Sequence, residues 1–269
     1  MKKLATALVS AAAIMTMSTT AFAAENPAEV FDRVMEKNNT IQSAEIQSGV
    51  HSVILAKDVI PDGQMKVDMA MHAEMDMQDT TDLKYLAQVA SSILGQDSYS
   101  QVFYTDGYYY VDANGVKLKY PMPLEQIIPS VQTGVNTSNM ESSYMKGISL
   151  NEVNGKRVLA YEANPKKLNK NVKEALGTVM NTLGTDVNLD MNIQEMKGAY
   201  VLDDNDYIIY MTNYIVYNME VLDQPMTCIT LMETEVQNPG EPVVVTLPST
   251  DGYEDLIGLY DGVIESEVE

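Results

Sequence analysis

The sequence predicts an α+β fold, a curved antiparallel β-sheet with helices packed on its concave face. Three observations carry that prediction. The odd positions from 65 to 77 read Met65, Val67, Met69, Met71, Ala73, Met75 and Met77, while Lys66, Asp68, His72, Glu74 and Asp76 alternate with them. Period two is the mark of a strand with one apolar and one wet face. Wound as a helix, the same residues would spread methionine around the cylinder and bury charge. The second observation is a pair of helix starts, Asn26-Pro27 and Asn164-Pro165, each followed by apolar residues at helical spacing. The third is a set of tyrosine-rich runs separated by Asp106-Gly107 and Asn114-Gly115, the preferred residues of two-residue β-turns.

The elements follow in order. Asn26 caps the first helix, Pro27 fits its first position, and Glu29 sits where a capping box places an acid. Val30, Phe31, Val34 and Met35 form its apolar stripe, which fades at Asn38-Asn39. Strands are expected from Ala44 to Ala56 and from Met65 to Met77, joined through Pro61-Asp62-Gly63. At ~3.3 Å per residue the second strand would run about 43 Å, long enough to favour curvature. A second helix is expected from Leu83 to Leu94, with Gly95 as its stop. Hairpin strands then span Ser100 to Tyr104, Tyr108 to Asp112 and Val116 to Tyr120, ending at Pro121 and Pro123. The third helix runs from Pro165 to Leu183, with Leu168, Val172, Leu176 and Val179 on one face. The final strands are expected over Val187 to Met196, Gly198 to Leu202, Tyr207 to Thr212, Ile215 to Val221, Met226 to Glu235 and Pro242 to Leu247.

The ends and the composition bound the setting. Lys2 and Lys3, the apolar run Leu4 to Met17, and Ala21-Phe22-Ala23 read as a secretory signal peptide over residues 1–23, cleaved near Ala23. The expected location is therefore secreted or extracytoplasmic. The run is too short to span a bilayer, so the protein is not expected to be membrane-spanning. No linker rich in Gly, Ser or Pro divides residues 24–269, which are expected to form one domain with an acidic tail from Glu254 to Glu269. Cys228 is the one cysteine, so there is no disulfide framework and no lipid-attachment cysteine after the leader. It falls within an expected strand, where a buried thiol is the natural reading. The formal charge of −21 argues against nucleic acid and anionic membrane surfaces as partners.

This succession resembles the LolA/LppX-like superfamily of bacterial lipoprotein and lipid carriers, and within it the small exported proteins of Firmicutes. The segments that carry the resemblance are Asn26 to Lys37, Met65 to Met77, Tyr104 to Tyr110, Asn164 to Leu168 and Asn238 to Pro242. The resemblance implies a half-barrel sheet with helices plugging its concave face, and an apolar concavity that holds acyl chains in known carriers. Many relatives are anchored through a cysteine that this chain lacks.

Three readings of the methionine row stand side by side. It can be a plain core face under a helix. It can line a lipophilic cavity, since unbranched, polarisable methionine repacks around varied apolar partners. It can offer thioethers to Cu(I) together with His72, but alternation places His72 on the opposite face. Enzyme motifs are incomplete. Ser143-Tyr144-Met145-Lys146 matches S-x-x-K without its S-D-N and K-T-G partners, and no G-x-S-x-G occurs. His72-Ala73-Glu74 lacks the P-C-x-x-C of a zinc deaminase. Asp203 to Asp206 hints at calcium, but Gly is missing at the sixth loop position, so it reads as a turn. The expectation is a non-enzymatic binding protein with no cofactor and no metal, taking a lipophilic small molecule or lipid. Its ligand-binding residues would be Met65, Met69, Met71, Met75, Met77, Leu189, Met191 and Ile193. The alternative is an exported scaffold or protein-interaction module with a filled core and no small-molecule ligand.

Overall fold

A computed structural model describes residues 25–56, 60–79, 83–123, 140–170, 191–221 and 224–256. The predicted leader, the third helix beyond residue 170, Leu189 and the tail beyond residue 256 lie outside them. Among the described residues, twelve strands form one hydrogen-bonded sheet in the order β12-β6-β5-β4-β3-β2-β1-β11-β10-β9-β8-β7. Their ranges are β1 Ser43–Leu55, β2 Gln64–Asp76, β3 Lys84–Ile93, β4 Gln96–Thr105, β5 Tyr108–Ala113, β6 Val116–Pro121, β7 Met145–Val153, β8 Lys156–Ala163, β9 Asn192–Leu202, β10 Ile208–Val221, β11 Gln224–Gln237 and β12 Glu254–Asp255. The helix α1 spans Pro27–Asn38, and residues 165–170 are also helical. The chain divides into two compact units, to which β1 and β2 each contribute residues on both sides of the division.

The methionine strand and the tyrosine hairpins form as their patterns predict, β2 within a residue of its expected bounds. The expected helix from Leu83 to Leu94 does not form; these residues make β3. Its apolar residues satisfy both periods, and the turn chemistry decides between them. Ile93 pairs with Gln96, so Leu94-Gly95 is a two-residue hairpin loop, both residues at positive φ (53° and 75°). Gly95 therefore closes a hairpin rather than ending a helix. The same geometry at Asn154-Gly155 (φ 53° and 75°) joins β7 to β8, a hairpin the sequence reading passed over. The strands expected as Gly198 to Leu202 and as two pieces around Asn213 are continuous within β9 and β10. Pro242 to Leu247 is an extended arm rather than a strand.

The first unit holds residues 25–38, 49–68 and 139–235, as far as these are described. Its core is built by α1. Asn26 caps the helix through its side-chain oxygen, which accepts from the Ala28 amide at 3.1 Å, and its side-chain amide donates to Glu29 at 3.0 Å. Val30, Phe31, Val34 and Met35 are buried on Leu159, Tyr161, Tyr200, Leu202, Ile208 and Met211 of β8 to β10. Phe31 meets Tyr161 edge-on at 5.8 Å between ring centroids. Each such buried side chain contributes roughly 1.5–3 kcal/mol. Residues 165–170 are tied to β9 through Asn169, which accepts from the Ile193 amide at 2.6 Å and donates to its carbonyl at 2.9 Å.

One glycine in this unit is fixed by space. Tyr161, Gly198 and Asn213 stand in one cross-strand row. The Tyr161 hydroxyl reaches over Gly198 to hydrogen-bond the Asn213 side-chain oxygen. A Cβ on Gly198 would meet the Thr212 carbonyl oxygen at 2.5 Å and the Tyr161 hydroxyl at 2.8 Å. Burial pushes the Tyr161 phenol well above its ordinary pKa, so it stays neutral in this bond.

The second unit holds residues 39–48, 69–138 and 236–269, as far as these are described. Its hairpins β3 to β6 are crossed by the arm after β11. The arm is tied at Ser43, whose hydroxyl accepts from the Val243 amide at 3.1 Å and donates to the Met75 carbonyl at 3.2 Å. Further along, the Thr246 amide donates to the Glu74 carboxylate at 3.3 Å. Val245, Leu247 and Tyr253 then pack on Leu86, Phe103 and Tyr110. Phe103 and Tyr110 stack at 4.5 Å, and Tyr253 meets both edge-on at 5.6 and 5.2 Å.

Candidate functional site: an apolar sheet face of the second unit

The arm fixes which side of the second unit's sheet each residue occupies. It touches the Glu74 side chain on β2 and the Leu86, Phe103 and Tyr110 side chains on β3, β4 and β5. Alternation then sends the odd residues of β2 to the other face, with the odd residues of β3. Met69, Met71, Ala73, Met75 and Met77 therefore share a face with Tyr85, Ala87 and Val89. The ladder extends that face. Tyr85, Tyr104, Tyr109 and Tyr120 form one cross-strand row, and Ala87, Val102, Val111 and Leu118 form the next. Thioethers, aliphatic groups and phenols thus make a continuous surface over five neighbouring strands.

This face is graded from one end to the other. Met75 and Met77 are 1% and 2% exposed, and Ala73, Ala87 and Tyr104 are also buried. Met71 is half-buried, Met69 is 40% exposed, and Ile93 and Val116 are exposed. The phenols keep polar groups within the apolar surface. Tyr104 donates to the Met122 carbonyl at 3.1 Å. Burial, reinforced by the neighbouring Tyr85 and Tyr120, pushes the Tyr109 phenol up to about 12. The Tyr109 hydroxyl is therefore a neutral donor and acceptor at physiological pH.

The expected ligand residues divide between the units. Met69, Met71, Met75 and Met77 stand on one face in the second unit. Met65, Met191 and Ile193 belong to the first unit, and Ile193 is buried in the core that α1 covers. Leu189 lies outside the described residues. The sequence reading missed the tyrosine row, whose signal was the hairpin register: Asp106-Gly107 and Asn114-Gly115 together align Tyr104, Tyr109 and Tyr120.

The other motifs find ordinary partners. His72 lies on the arm side of β2, its Nε2 at 3.2 Å from Glu45 and 3.8 Å from Glu74, away from the thioethers. The His51 Nδ1 is 2.7 Å from Asp68 in the first unit. Ser143 donates to Glu141 at 3.0 Å, whereas Lys146 pairs with Glu162 at 2.7 Å, so the S-x-x-K residues do not converge. The Asp203 to Asp206 turn closes on itself, Asp203 accepting from the Asn205 and Tyr207 amides at 2.9 and 2.8 Å. Asp206 is held by Arg33 at 2.8 Å and by Arg157. Burial alone would raise the Asp206 carboxyl, but the hydrogen bonds from these two guanidinium groups outweigh it and hold it below the usual carboxylate range. Among the described residues no group of three or more His, Cys, Asp or Glu gathers as a metal site. Among them, too, no helix is long and apolar enough to cross a membrane.

The fold and this face define an antiparallel β-sheet protein with an apolar surface of thioethers and phenols. The chain belongs to DUF6612, a family of unknown function, whose model matches residues 26–248. No curated protein matches the sequence. Among solved structures, it is similar to LprF from Mycobacterium bovis at 10% identity, covering 83% of this chain and 97% of that one with a TM-score of 0.35. It is also similar to the lipoprotein LppX from Mycobacterium tuberculosis, at 9% identity over 82% of this chain and 100% of that one, with a TM-score of 0.34. A beta-barrel-like DUF1849 protein from Brucella abortus follows at 12% identity, 74% and 100% coverage, and a TM-score of 0.24.

Proposed function

We propose that this protein is an exported, non-enzymatic binding protein that holds a lipophilic, acyl-chain-like ligand against the methionine and tyrosine face of its second unit. The grading of that face carries the reading: an apolar surface buried at Met75 and Met77 continues without a polar break to the exposed Met69. Thioethers repack around chains of differing shape. The leader-like N-terminus and the resemblance to LolA/LppX-like carriers support the same reading. Each ligand methylene withdrawn from water contributes ~0.8 kcal/mol, so a ten-carbon chain gains about 8 kcal/mol before the cost of ordering it.

Uptake of a fluorescent fatty acid tests this directly. Met69→Asp with Met71→Asp places charge on the exposed half of the face and is expected to abolish uptake. His72→Gln, on the arm side, is expected to leave it unchanged. Full uptake by a folded double variant would remove the methionine row from the site. A second reading, an interaction module with a filled core, draws on the exposed Ile93, Leu94 and Tyr99 around the β3–β4 turn. It predicts no uptake by the natural protein.

A further inference from the structure

The strand register of the first unit gathers sulfur at one end of the β10–β11 hairpin. Met219 pairs directly with Met226, and Tyr217 with Cys228. Directly opposed residues of an antiparallel pair share a face, as do residues two apart on one strand. Met219, Met226 and Cys228 therefore project from one face of the hairpin, and the Cys228 Sγ donates to the Met219 Sδ at 3.7 Å. On the other side of β10, Asn192 pairs with Asn218, so Met191 is the next position beside Met219. Cys228 is 1% exposed, while Met191, Met219 and Met226 are half-buried, so the thioethers are the more accessible sulfurs of the group.

From this grouping we propose that Cys228, Met219 and Met226 form a binding site for a soft monovalent metal ion of the Cu(I) class, with Met191 placed as a fourth ligand. Thiolate and thioether sulfur select Cu(I) over the harder ions that prefer carboxylate and carbonyl oxygen. The spacing fits a shared ion. Two sulfurs each ~2.3 Å from one metal and 3.7 Å apart subtend about 107° at it, close to the tetrahedral angle. Binding replaces the thiol proton: the S–H bond breaks, the sulfur keeps the electron pair and gives it to the metal, and one proton leaves to solvent. The Cu(I) reading of the sequence concerned the β2 methionines and His72, which lie on opposite faces. This second sulfur group is assembled from β10, β11 and the residue that leads into β9, and only the strand register reveals it.

Silver(I), a redox-inert ion of similar softness, is the probe. The full mature chain, kept reduced, is titrated with Ag(I) and followed by native mass spectrometry and by ultraviolet thiolate-to-metal absorption. The expected result is one tightly held ion per chain. Cys228→Ser is expected to lose that ion, and Met219→Leu and Met226→Leu to weaken binding by roughly tenfold or more each. Leucine is close to methionine in volume, so thermal unfolding of these variants should stay near that of the natural protein. Met145→Leu, on β7, is expected to bind as before. Absence of a stoichiometric ion in the natural protein would overturn the site, as would unchanged affinity in Cys228→Ser or in Met219→Leu.

Discussion

The two units use their apolar sheet faces differently. In the first, α1 lays Val30, Phe31, Val34 and Met35 onto β8 to β10, and the face becomes solid core. The helix is also anchored at its end. Asn38 donates to the Val34 carbonyl at 2.7 Å and accepts from the Ile208 amide at 2.9 Å, while Arg33 and Arg157 converge on Asp206. In the second, an arm seals one face through Tyr253, Val245 and Leu247, and the opposite face runs from buried Met75 to exposed Met69. Residue type follows this difference. The packed face holds aromatic rings in edge and stacked contacts, whereas the graded one offers thioethers and neutral phenols that can adapt to a guest.

The comparison breaks most severely at its best-packed residue. Phe31→Ala should cost about 3–5 kcal/mol, read as a lowered denaturation midpoint, because it opens a cavity between α1 and the Tyr161 and Tyr200 rings. Gly198→Ala should cost about 1–3 kcal/mol, since the new methyl meets backbone and the Tyr161 hydroxyl rather than open space. Gly147→Ala is the control, with no atom near the added carbon, and should change stability little. Asp206→Asn should cost about 1–2 kcal/mol at pH 7 by weakening a partly buried, doubly hydrogen-bonded carboxylate. The pH dependence of that loss has a fixed sign. The native carboxyl is held below its unfolded pKa of ~3.9, so its stabilisation is fully present above that value and fades as pH falls through the native one. The gap between natural protein and variant should therefore close in acid. Met69→Leu should be the mildest change, below about 0.5 kcal/mol, because its side chain is well exposed.

Much of the fold was legible because period and turn chemistry agreed. In β2 the alternation is unbroken by Gly or Pro, and Asp-Gly and Asn-Gly fix the tyrosine hairpins. At Leu83 to Leu94 they disagreed: Leu83, Leu86, Val89, Ala90 and Ile93 fit a helical stripe, and the choice fell to pairing with β4, which local periodicity does not contain. The β7–β8 hairpin was legible at Asn154-Gly155 and was passed over. Half the candidate site was legible as the methionine row. The tyrosine row and the sulfur group depend on which strands become neighbours, a property of the sheet rather than of any one segment. Ile193 shows the converse limit, since an apolar alternating residue looks the same whether a helix or a ligand covers it.

Methyl NMR of the methionines tests the contrast between the two faces most directly. In protein labelled with carbon-13 at the methionine methyls, dodecanoate should shift the Met69 and Met71 resonances in a saturable way. Those of Met35, Met140 and Met211, which are buried in the first unit's core, should stay where they are. Saturable shifts at the core methionines with none at Met69 and Met71, or no saturable shift at any methionine, would contradict a ligand held on the second unit's methionine and tyrosine face.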